Sequence, residues 1–394
     1  MSTLKVDAIR HNSATSDAIT TASDGTCTAK LTSVGGGGLS HRNVIRNGHM
    51  QVIQRGSPLT VNANIARGRT CADGWEISSD TNGTGVFSSS KSTDTPNGFG
   101  SSLKLDVTTA DTSIAADVGC RFLQRFEGQD LQAFKKGSSD ALQFTLSFHV
   151  KSPKTGTHCI ELLDIDNNRS VSATYTVSQA DTWQYVTHTF PADTTGAFAN
   201  DNGQSFIVIW WLAAGSNFTS GSLATTWGTR VEANRAVGQV NVLDNTANNF
   251  YITGCQLEVG DTATSFEHRS YGEELRLCQR YYYRHATGAD ASSDYSIGTF
   301  ACYQANDIFG MIDLPVTMRA TPSIDQVTGS SYYKVYSNGG SDAFESFGGM
   351  WSPSATCAGL NANSGTGISG RTAGHATFVK TNNTNAYLAF SAEL

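Results

Sequence analysis

Several short stretches of this 394-residue chain carry residue types at spacings that could do chemistry. Asp164, Asp166 and Asn168 alternate as the first oxygen ligands of a calcium loop do. The sixth position, which needs glycine, is Arg169, and no glutamate stands at the twelfth. A hairpin turn accounts for the three residues, and calcium held by ligands from distant loops stays open as an alternative. GTGISG, Gly365–Gly370, has the GxGxxG spacing of a dinucleotide loop. That chemistry needs a strand before the glycines and a helix after, so that phosphate meets a helix N-terminus. LNANS precedes and RTAGH follows, which reads as a flexible loop. His158 and Cys159 are the one adjacent Cys/His pair. Neighbours on a strand point to opposite faces, so no zinc site is expected. There is no HExxH, no nucleophile elbow and no paired-carboxylate signature, so neither an enzyme nor a cofactor is expected.

Aromatic residues remain as ligand candidates, because the C–H face of a sugar ring stacks on Trp or Tyr. Trp227 lies in the polar loop SLATTWGTR, and Tyr332, Tyr333, Tyr336 and Trp351 stand beside glycine-rich loops. Exposed aromatics flanked by Ser, Gly and Asn resemble binding loops. The competing reading makes each a loop anchor on the edge of a β core. Trp75, Trp183, Trp210 and Trp211 sit in strand-like contexts and read as core.

The elements that must position these residues are mainly strands. In LQFTLSFHVK, Leu142, Phe144, Leu146, Phe148 and Val150 alternate with polar residues, the period of a half-buried strand. SLKLDVT repeats the pattern, and CIELLDIDNNRSVSATYTV reads as a hairpin. FIVIWWLAA is apolar on both faces, so it is either covered within the chain or buried against another subunit. These strands, without helices between them, predict an antiparallel jelly-roll β-sandwich over residues 39–268. A smaller β domain is expected over 286–394, closed by a hairpin of HATFVK and AYLAFSAEL. Between them, over 269–285, Ser270 and Glu273 have capping-box spacing, which predicts a junction helix. Its packed face is expected to be Tyr271, Leu275, Cys278 and Tyr282, with Arg276 and Arg280 on the solvent side. Residues 1–38 read as an extended arm. It has a hairpin turn at Asp24-Gly25, too few large apolar residues for a core, and a linker at Gly35–Gly38.

Composition narrows the partners. Charged residues are only 15% of the chain, its formal charge is −7, and Lys135-Lys136 is the longest basic run. Nucleic acid and anionic lipid surfaces are therefore excluded as expected partners. The longest apolar run, Phe206–Ala214, is nine residues, far short of the roughly 20 that span a bilayer, so no membrane insertion is expected. No secretory signal is visible, which predicts synthesis in a cytoplasm. The eight cysteines are scattered without a CxxC and are expected to be reduced and mostly buried.

Three stretches carry a family resemblance. QLEVGDTATSFEHRSYGEELRLCQRYYYR, Gln256–Arg284, resembles a segment common in bacteriophage tail-fibre proteins, usually seen as QLE-G-ATPFE-R and then EL-LCQRYY. Ser265 stands where that pattern usually has proline. NVIRNGHMQVIQRG, Asn43–Gly56, is similar to the NLIINGDFQVWQRG opening of the same group, and the first thirty residues resemble the N-terminal segment of marine phage fibres. The resemblance covers most of residues 1–285 and more loosely the rest. It implies a virion tail protein with a carbohydrate-binding-module-like jelly roll that attaches to a host-surface glycan without catalysis. It also implies a homotrimer, joined to other virion proteins through residues 1–34. The alternatives are a head or collar scaffold fibre without a receptor role, and a glycan-degrading tailspike.

Overall fold

The computed structural model describes residues 6–9, 19–21, 23, 27–29, 40–62, 67–79, 83–288 and 295–394. In the arm, Ala8–Ile9, Ile19–Thr21 and Cys27–Ala29 form a three-stranded antiparallel sheet. The Asp24-Gly25 turn and the glycine linker lie outside the described residues.

The larger β region is a sandwich. Its six-stranded sheet runs, in spatial order, Gln184–Phe190, Phe144–Lys151, Asn249–Val259, Ser102–Thr109, Val86–Ser92 and Leu59–Asn62. Its seven-stranded sheet centres on Gly156–Asp164, Gln204–Ala214 and Gly119–Glu127. Alternation decides the facing. Phe144, Leu146, Phe148 and Val150 are fully buried, as are Leu103 and Leu105. They meet Trp75, Phe122 and Trp210 from the other sheet, with Phe148 edge-on to Trp210 at 5.5 Å. Burying one such side chain is worth about 1.5–3 kcal/mol, so this layer holds the sandwich together.

FIVIWWLAA resolves as a strand buried on both faces. Phe206, Val208, Trp210 and Leu212 face the sandwich. Ile207, Ile209 and Trp211 face outward, where Phe218, Leu223 and Ala236 of the same chain cover them. Glu161 anchors this cover, accepting bonds from Arg235 at 2.8 Å and from the Trp211 indole at 3.1 Å. The excess apolar surface is thus consumed within one chain and requires no second subunit.

The smaller β region has a three-stranded sheet, Tyr282–Thr287, Tyr387–Ser391 and Ser323–Gln326. Packed with it is a seven-stranded sheet. In spatial order it runs Gly340–Phe344, Tyr333–Ser337, Ala376–Thr381, Ser296–Gln304, Asp307–Asp313, Cys357–Asn363 and Gly349–Met350. The expected terminal hairpin is not one. Ala376–Thr381 pairs in the larger sheet and Tyr387–Ser391 in the smaller, so the intervening turn carries the chain across the core. Leu388 and Phe390 are buried on one side of that crossing and Val379 on the other.

The junction helix spans Tyr271–Gln279, and the Ser270 side chain accepts from the Glu273 amide. Its packed face differs from the expected one. Cys278 and Tyr282 are buried as expected, but Tyr271 is 55% exposed and Leu275 only half-buried, and Glu274 is buried instead. Glu274 wins the inward position because it accepts the buried Asn47 amide at 2.6 Å and faces Arg269 at 3.5 Å. Arg280, expected on the solvent side, instead forks onto the fully buried carboxylate of Glu127 at 2.7 and 2.6 Å. The Tyr281 hydroxyl donates to the same carboxylate. Beyond it, Glu393 reaches Arg55 at 2.6 Å and Arg69 at 3.0 Å on the sandwich. The two β regions are therefore joined by paired charges as well as apolar packing.

Candidate functional site

The outer face of the six-stranded sheet is built around one irregularity. Phe144–Lys151 and Asn249–Val259 pair regularly until the register slips between Ser147 and His149. The extra residues form a β-bulge in which Gly254 adopts φ +64°, a left-handed value that favours glycine. A Cβ at this position would lie 2.7 Å from the Phe99 ring and 3.0 Å from His149 Nδ1. The missing side chain thus lets Phe99 and His149 close over the bulge. Gly254→Ala should displace both rings and weaken any ligand held there by about tenfold or more; titration of the variant checks it, with thermal melting as the control.

The result is a cleft of about 590 Å³. Its aromatic wall is continuous: Phe99 lies 5.1 Å from His149, 5.2 Å from Phe266 and 5.4 Å from His268, and His149 lies 4.8 Å from Tyr185. Tyr185 is 53% exposed, so its ring is open to solvent. Ser147, Asn97 and Thr264 supply the polar lining, and among the described residues no Asp, Glu, Lys or Arg lines the cleft. Burial lowers the His149 pKa, which keeps this imidazole neutral at pH 7. A volume of this size suits a small ligand, and rings with neutral polar groups suit an uncharged one. Beside the cleft, Trp183 lies 6.2 Å from Tyr251 and donates to Asp94 at 2.9 Å. Trp183 is thus half-exposed on this face rather than in the core where its strand-like context put it.

The residues expected to bind ligand do not converge. Trp227 packs against Phe144 at 5.8 Å and donates to the Pro191 carbonyl at 2.8 Å, so it anchors a loop to the sandwich. Tyr333 is fully buried, and its hydroxyl meets the Val327 and Tyr387 carbonyls. Tyr332 packs partly buried against the same core. Tyr336 faces outward near Lys334 and Lys380, at 5.3 and 4.8 Å, and Trp351 is 43% exposed beyond the opposite edge of that sheet.

The other motifs have local roles. Asp164 accepts Lys136 Nζ at 2.5 Å, and Asp166 accepts the Ala199 amide at 2.8 Å. GTGISG follows the strand Cys357–Asn363, its first two residues belong to a single turn, Ser364–Thr366, and the next element is a strand rather than a helix. His158 stacks on Tyr175 at 5.3 Å while Cys159 joins the outer cluster, on the opposite face.

No family model matches the chain, and no curated protein matches it. Solved structures do. The enzymatically active domain of tailspike protein 4 of bacteriophage CBA120 matches at 14% identity and TM-score 0.30, over 55% of this chain and 21% of that one. A family 11 carbohydrate-binding module from Clostridium thermocellum, in complex with a β-1,3-1,4-mixed-linked tetrasaccharide, matches at 11% identity and TM-score 0.26. That match covers 50% of this chain and 91% of the module. A xylan-binding domain from carbohydrate-binding module family 22 matches at 11% identity and TM-score 0.28, over 57% of this chain and 99% of that one.

Proposed function

We propose that this chain is a phage virion protein of the tail-fibre kind, which holds a neutral glycan of the host surface without chemistry. The observation that carries the binding half of this reading is the cleft on the six-stranded sheet. It offers open rings for the C–H face of a pyranose, and hydroxyl and amide groups for its hydroxyls. The described residues of its lining include no carboxylate, which argues against glycoside cleavage there, since that reaction uses a pair of them. The virion half is supported by the likeness of Asn43–Gly56 and Gln256–Arg284 to tail-fibre sequences. In this reading the protein is made in the host cytoplasm and carried in the tail. Residues 1–34 attach it to other virion proteins and pair with copies of themselves in a homotrimer. Three weak sites on one particle then act together.

Tyr185→Ala tests the cleft directly. The variant should melt as the wild type does, because the ring is exposed, and should lose about tenfold in affinity on an array of neutral bacterial-surface glycans. Unchanged array binding by the variant would remove the cleft from the reading. A wild-type protein that binds no glycan yet is required for particle assembly would favour the scaffold fibre instead.

A further inference from the structure

The smaller β region carries an outer face that the cleft does not explain. Along Cys357–Asn363, Ala358, Leu360 and Ala362 are buried, so Cys357, Gly359 and Asn361 point outward. The chain returns past this strand, and the Trp351 amide donates to the Gly359 carbonyl at 3.0 Å. Gly359 has room for nothing more: a Cβ there would lie 2.3 Å from the Trp351 carbonyl oxygen and 3.2 Å from the indole nitrogen. The missing side chain therefore seats the indole against the sheet, and Trp351 remains 43% exposed. Phe309 stands edge-on beside it at 5.5 Å and 83°, and Tyr303 stands edge-on to Phe309 at 5.5 Å and 81°. One ring lies at the base and two build a wall.

The polar neighbours of this platform say what it fits. On the adjacent strand Met311 pairs with Gly359, Phe309 with Asn361, and Asp313 with Cys357. Asp313 is exposed, and Asn361 is partly exposed. A second protein surface laid flat over Trp351 would bury that carboxylate and that amide, each needing a partner. A saccharide brings its own donors: its C–H face covers the indole while its rim hydroxyls bond Asp313 and Asn361.

We infer that Trp351, Phe309, Asp313 and Asn361 form a second saccharide platform, for a hydroxyl-rich neutral pyranose, separate from the cleft in the sandwich. It stands on its own residues and does not depend on the cleft. An anionic sugar is disfavoured by the carboxylate of Asp313.

The test uses the full chain and the methyl glycosides of glucose, galactose and mannose, read by saturation-transfer NMR. Wild type and Tyr185→Ala should both transfer saturation to the ring C–H protons of at least one glycoside. In the Tyr185→Ala background, Trp351→Ala should reduce that transfer about tenfold with no loss of melting temperature, since the indole is exposed. Asp313→Asn, which keeps the shape, should weaken the same glycoside several-fold. The inference is overturned if the Tyr185→Ala/Trp351→Ala double variant transfers as strongly as Tyr185→Ala. It is also overturned if no glycoside shows transfer with the Tyr185→Ala protein. A third overturning result is a Trp351→Ala protein that sediments as a smaller species than wild type while wild type binds none of the sugars. In that case the face is an interface between copies.

Discussion

Replacing Arg280 by alanine should lower the unfolding free energy by about 3–5 kcal/mol. Glu127, which Arg280 grips with two bonds, is fully buried. Burial alone would raise its pKa, but the bonds from Arg280 and Tyr281 outweigh that, and the carboxyl is held below its ordinary value. Removing the guanidinium leaves a buried anion with Tyr281 and Gln129 as its remaining donors. That differs from losing a surface ion pair, which costs at most about 1 kcal/mol. Urea unfolding checks the value. Glu127→Gln in the Arg280→Ala background should recover part of the loss, because no charge is then stranded. A cost below about 1 kcal/mol would show that water reaches Glu127 freely. Arg280 also donates to the Thr317 carbonyl across the junction. The variant should therefore separate the melting of the two β regions as well.

The second large effect is acid lability from His158. The imidazole is fully buried, stacks on Tyr175 and, among the described residues, bonds only the Lys154 carbonyl, through Nε2. Burial lowers its pKa from 6.5 to about 4. The sign follows from proton counting. Between those values the unfolded chain binds a proton that the folded one refuses, so stability falls as pH drops through that window. The shift corresponds to about 3 kcal/mol, fully lost near pH 4. Burial lowers His149 and His188 in the same direction. Asp73 acts oppositely: burial outweighs Arg55 and raises its carboxyl to about 7, so its contribution is lost as pH rises. The diagnostic is therefore a difference. Between pH 7 and pH 4.5, wild type should lose about 2–3 kcal/mol more than His158→Phe does in urea unfolding. Equal losses would mean that His158 titrates normally in the folded protein.

Local patterns carried the strands well. Gly156–Asp164 and Arg169–Val177 pair as the hairpin read in CIELLDIDNNRSVSATYTV, and the alternation of Phe144 to Val150 showed which side faces the core. What failed was whatever depends on distant contacts. The helix face was read from apolar spacing alone, but the inward position went to Glu274, because the Asn47 amide and Arg269 need its carboxylate. Trp227 and Tyr333 sit in loop-like sequence yet serve as anchors, since a large ring next to a core packs rather than waits for a ligand. The cleft was missed because Phe99, His149, Tyr185 and Phe266 are scattered along the chain and meet only through the bulge. One signal was present: a glycine inside the strand pattern YITGCQLEV marks a bulge or a close approach. Trp183 misled in the opposite direction, since it precedes the edge strand Gln184–Phe190 and escapes the core.

The placement of Tyr387–Ser391 has a consequence for how the protein is made. This strand lies between Tyr282–Thr287 and Ser323–Gln326 and pairs with both. Neither can find its sheet partner while translation is still short of residue 387. The sandwich, whose strands are all complete by Val259, can close while the ribosome is still adding the rest. The emerging polypeptide must then keep Tyr282–Thr287 and Ser323–Gln326 unpaired without aggregating until the central strand arrives. A ribosome stalled between residues 330 and 380 should therefore display a protease-resistant sandwich followed by a cleavable tail.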